Sequence, residues 1–142
     1  MVIYCKYYKI CDALPFAFTD IEMVFNEEKK AVDWIFRYGN EALATLEKLP
    51  LDKMIGSSFS SLFSNMDAKW LHVYERATLY GETLEIMDYS PEIDTNLKII
   101  CFPTFPGHCG CILFNADKMK SISEENHLVR LVEVSMKNNS SK

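Results

Sequence analysis

The densest run of reactive side chains is His108-Cys109-Gly110-Cys111, with Cys101 a little upstream. A zinc site wants four convergent ligands, usually with its cysteine pairs two to four residues apart. Here a single glycine separates Cys109 from Cys111, so on a strand both thiols fall on one face, where Cys101 of a neighbouring strand could join them. That would assemble three thiols and a histidine into a redox or metal centre. The competing reading, and the preferred one, is that these cysteines are small apolar core residues; no metal ligand is assigned. A cysteine nucleophile needs a base beside it, and adjacent strand residues such as His108 and Cys109 point to opposite faces. His72 could in principle ligate a haem iron. It lies oblique to the apolar face of Trp70, Leu71 and Tyr74, so a solvent-facing histidine is expected. With only five glycines and no Gly-Lys-Ser/Thr loop there is no phosphate cradle. Glu27, Glu28, Glu82, Glu85, Glu92 and Asp94 fall at turn or edge positions. No catalytic residue is assigned, and enzyme activity is not expected.

The elements that must position these groups follow from periodicity. Residues 1–14 form an N-terminal lead with helical potential, ending at Pro15. A strand is expected over Phe16–Phe25. Phe16 and Phe18 share one phase and Ile21, Met23 and Phe25 the other, which predicts a bulge near Thr19-Asp20. After the polar turn beginning at Asn26, Val32, Trp34, Phe36 and Tyr38 alternate with Asp33, Ile35 and Arg37, completing a β-hairpin. Asn40 is an N-cap for a helix carrying Ala42, Leu43, Leu46 and Leu49, which Pro50 stops. Gly56 and the Ser57–Ser61 cluster leave room for at most a short helical turn. Asp67 is a second N-cap candidate, and the helix it starts carries Trp70, Leu71, Tyr74 and Ala77 on one face up to Gly81.

Strands are expected at Thr83–Tyr89, Asn96–Phe105 and Cys109–Phe114. Beyond them, Ser121 and Glu124 have capping-box spacing for a C-terminal helix. Ile122, Val129, Val132 and Met136 give it a short apolar seam, and residues 117–142 are read as this helix and a polar tail.

Bulk properties bound the function. The chain has 142 residues, with 15 Lys+Arg against 20 Asp+Glu and a formal net charge of −5. That length suits one domain, and 49% hydrophobic with 25% charged residues are globular values. No broad basic footprint is available for nucleic acid. No apolar run approaches the roughly 20 residues of a membrane helix, and the N-terminus lacks a signal-peptide layout. Five cysteines without a framework-like spacing fit reduced thiols in the cytoplasm.

The Asn40-Glu41-Ala42 helix start, the stretch Ile55-Gly56-Ser57-Ser58-Phe59-Ser60-Ser61-Leu62-Phe63 and the strand-strand-helices-strand-strand-strand order resemble a PAS domain over roughly residues 13–116. The resemblance is to the PAS modules of bacterial signalling proteins, which precede histidine kinase or diguanylate cyclase output domains. It implies an α+β fold, a PAS-like five-stranded antiparallel sheet with helices on one face plus terminal helices, the core domain covering 15–116. It also implies a sensory or dimerisation module that binds a small ligand or partner and relays through its terminal helix. A homodimer is implied through the terminal helices and the outer sheet face, where Ile35 and Ile100 would lie. No Gly-Gly-Asp-Glu-Phe output motif is present, and no Asn-Cys-Arg-Phe-like stretch of the flavin-binding subtype. The cofactor, if any, is left unspecified.

Aromatic residues make up 13% of the chain. Trp34, Phe36, Tyr38, Trp70, Tyr74 and Phe102 are the candidates for lining a ligand pocket between sheet and helices, with Tyr38 or Tyr74 orienting the ligand. Against this stands a core simply filled by the same rings. The alternative function is a thiol-based redox or metal-binding protein using Cys101, Cys109 and Cys111.

Overall fold

The computed structural model describes residues 3–63 and 68–118. The expected C-terminal helix, the Asp67 cap and the polar tail lie outside them. The first hairpin is β1 (Ala17–Phe25) and β2 (Ala31–Gly39), and a second run supplies β3 (Leu84–Ser90), β4 (Thr95–Pro103) and β5 (His108–Asn115). All pair antiparallel in one five-stranded sheet of order β2-β1-β5-β4-β3. The α+β arrangement anticipated above is therefore present, with β1 and β5 side by side at the centre.

Between β2 and β3 the chain makes α2 (Glu41–Glu47), α3 (Leu51–Met54), α4 (Phe59–Leu62) and α5 (Ala68–Tyr80). Asn40 caps α2 by accepting from the Leu43 backbone N–H at 3.0 Å, as its residue type favours. Its side chain is completely committed: Oδ1 also accepts from Phe18 N–H, and Nδ2 donates to the Cys11 and Phe16 carbonyls. One buried amide thus joins a helix start, the central strand and the lead. A Cβ at the preceding Gly39 would press on the Leu43 methyl, which would have to shift to make room. Lys48 ends α2 in a left-handed conformation, and Pro50, rather than only stopping that helix, leads directly into α3. On α5, Trp70, Tyr74 and Ala77 recur at helical spacing and are buried.

These helices cover one face of the sheet. Ala17, Ile21 and Met23 of β1, Trp34 and Phe36 of β2, Leu97, Ile99 and Cys101 of β4, and Cys109, Cys111 and Leu113 of β5 pack against them. The opposite face is not left bare. The lead folds as α1 (Tyr4–Tyr7) and a 3-10 turn at Lys9–Cys11, and packs Tyr8, Tyr4, Cys11 and Leu14 onto Phe18, Tyr38, Phe102, Phe105 and Ile112.

The bulge expected near Thr19-Asp20 is present as a register shift between Asp20 and Ile21, while the two apolar phases of β1 serve its two covered faces. Its extra residue sits on β2. Asp20 pairs with Tyr38 and Ile21 with Phe36, which leaves Arg37 unopposed, so Phe36 and Tyr38 face opposite sides. The outer edge of β2 is closed by its own chain, through Phe36 N–H to Ser57 C=O, Gly56 N–H to Phe36 C=O and a bridge from Ile35 to Ser58. The β3 edge has no partner strand among the described residues.

Candidate functional site

The six aromatic candidates divide between the faces. Trp34, Phe36, Trp70 and Tyr74 come together on the helix side, with Trp34 edge-on to Tyr74 at 5.0 Å and close over Phe59 at 4.2 Å. Tyr38 and Phe102 belong to the cluster under the lead. For Tyr38 the cause is the Arg37 bulge; for Phe102 it is plain alternation with Cys101. A single pocket lined by all six does not form. Between Trp34, Phe59, Trp70 and Tyr74 the free space is a cavity of about 20 Å³, enough for one water molecule. The rings fill the volume a ligand would occupy.

A carboxylic acid shares that cavity. Glu47 is 8% exposed and lines it together with Tyr74, Ser90 and Glu92. Burial pushes its carboxyl up to about 8, with the charge of Glu92 adding to the effect. Burial also raises the Tyr74 phenol, with the thiols of Cys111, Cys109 and Cys101 next in importance. The helical spacing held the signal for Glu47: it follows Leu43 by four positions and so continues the apolar face of α2.

Under the lead the chemistry is different. Asp20 is fully buried; the Tyr8 hydroxyl donates to its Oδ2, and His108 Nδ1–H donates to its Oδ1 at 2.7 Å. The Tyr4 hydroxyl lies 3.4 Å from His108 Nε2, and the Tyr4 ring stacks on the imidazole with centroids 5.6 Å apart. Alongside, Tyr38 donates to Asp12 of the lead at 2.5 Å. The Tyr8 phenol is driven upward first by burial and then by its bond to Asp20. The Tyr38 phenol rises by burial and its bond to Asp12. Two tyrosines of the lead thus close over a carboxylate–imidazole pair on the sheet. Sequence reasoning missed Asp20, although it continues the Phe16–Phe18 phase and so had to be covered if they were.

The cysteine centre does not assemble. Cys101, Cys109 and Cys111 face the helix-side core, whereas His108 points across the sheet to Asp20. No group of metal-ligating side chains occurs among the described residues. Burial pushes the Cys101 thiol up to about 12 and also raises Cys111, helped by its bond to Cys109. A nucleophilic or metal-binding thiolate needs the opposite shift. His72 is exposed on α5, as expected. Ile35 and Ile100 are half-buried rather than forming an open apolar face.

No family model and no curated protein matches the chain. Among solved structures, one titled as an RNA-binding Light-Oxygen-Voltage receptor is similar at 14% identity with a TM-score of 0.47. The match covers 92% of this chain and 37% of that one. The present chain therefore spans about a third of the length of that receptor. Among the described residues, no helix is long and apolar enough to cross a membrane.

Proposed function

We propose that the chain is a PAS-like sensory or dimerisation module of a cytoplasmic bacterial signal-transduction protein, binding a small ligand or partner and passing the change on through its terminal segments. The supporting observation is the clasp between lead and sheet. Tyr8 and Tyr4 reach the Asp20–His108 pair through polar contacts, and the lead also packs its rings on Phe18, Tyr38 and Phe105, so it is a covering element held by both directional bonds and apolar contact. Relay requires two arrangements that a ligand binds differently; in this reading they are the docked lead and a released one. A homodimer, no nucleic-acid partner and no catalytic step complete the reading.

Hydrogen exchange on Asp20→Asn in the full chain tests it. The lead should exchange at least about tenfold faster while β4 and β5 keep their protection. Simultaneous loss of protection in lead and sheet would make the lead an inseparable part of one core, and the relay would fail. Light scattering on the eluted protein tests the dimer independently, and a monomer at high concentration removes that part.

A further inference from the structure

A recess among the described residues lies beside the helix-side aromatic cluster, with Leu113 between them. It is a groove of about 550 Å³ where the end of α2 meets the start of β1 and the end of β5. That volume is in the range of small-ligand sites, about 300–1,000 Å³. Its walls are mostly apolar, with Phe16 and Phe114, whose rings are 5.5 Å apart, together with Leu46 and Leu113, and with Thr45, Thr95 and Asn115 as polar members. Its charged groups are of one sign. Lys48 and Lys118 line it and no carboxylate does, in a chain whose net charge is −5. Neither ammonium has an ion pair among the described residues. Lys48 is, in addition, placed by a left-handed backbone (φ 61°) at the end of α2.

Mostly apolar walls and two cations without an ion pair among the described residues call for a ligand with an apolar body and an anionic head. We infer that this groove binds a small amphipathic carboxylate, its tail against Phe16, Leu46 and Phe114 and its head between Lys48 and Lys118. The inference deepens the sensory reading by naming its ligand class. Leu113 connects it to the core, since the same side chain also lines the small cavity holding Glu47. A tail pressed on Leu113 therefore acts on the partition between groove and core.

The test is titration of the full-length protein with decanoate and, separately, decanol, followed residue by residue by amide NMR. Decanoate is expected to bind saturably below about 1 mM, with shifts centred on Phe16, Leu46 and Phe114. Replacing both lysines (Lys48→Gln with Lys118→Gln) should weaken decanoate by about tenfold, a loss of 1.4 kcal/mol, and leave decanol unchanged. Both side chains are exposed, so the variant keeps its fold. No saturable binding, shifts centred elsewhere, or equal loss for acid and alcohol would overturn the site. Decanoate binding there without any change in exchange of the lead or in assembly would uphold the site and defeat the sensory reading.

Discussion

The two faces of the sheet bury one carboxyl group each and deal with it in contrasting ways. On the helix side, Glu47 sits among aromatic rings, and its acid form is favoured because burial penalises the charge. Beneath the lead, Asp20 is more deeply buried yet receives a phenol and an imidazole, both as donors. The helix-side solution tolerates a titratable group at a cost that depends on pH. The lead-side solution turns such a group into a fastener, because a buried, hydrogen-bonded charge is costly to strip of its partners. One face is suited to holding the fold and the other to holding a removable element.

Substitutions can break this contrast, beginning with the largest effect. Trp34→Ala deletes the ring that packs on Phe59 and Tyr74 and should cost about 4 kcal/mol in urea unfolding. Glu47→Gln works in the other direction and is specific to pH. With its carboxyl raised to about 8, the unfolded chain ionises before the folded one as pH climbs from the ordinary glutamate range. Stability is therefore fully present at acid pH, falls through that interval and levels off above about 8. The glutamine variant should lose this slope and gain a few kcal/mol at pH 8, at about 1.4 kcal/mol per pKa unit. A wild-type protein with no such slope would mean that Glu47 is solvated. Tyr38→Phe, which removes only the bond to Asp12, should cost about 1 kcal/mol and loosen the lead without changing the helix-side core.

The strand pattern and the helix ends were readable because they depend on local chemistry. Asn40 caps by its own side chain, and Gly81 takes a positive φ after α5. Leu97, Ile99 and Cys101 alternate as one buried face. What escaped depends on contacts distant in sequence. The Arg37 bulge is defined by register against β1, and no residue of β2 announces it, so Tyr38 was assigned to the wrong side. The lead's role required knowing that the second face of the sheet was covered. Asp20 and Glu47 each extend an apolar phase, a weak sign that becomes meaningful only once both faces are known to be buried.

The unequal ends of the sheet bear on how copies of the chain could stick together. Ser57 and Gly56 bond the backbone groups of Phe36 on the outside of β2, whereas β3 presents Met87 and Tyr89, both exposed, on an edge without a described partner strand. A molecule with two open edges can add neighbours at both ends and grow without limit, as fibrils do. Where association runs through the β3 edges alone it ends at a pair, since each copy's β3 edge is then taken up by the other.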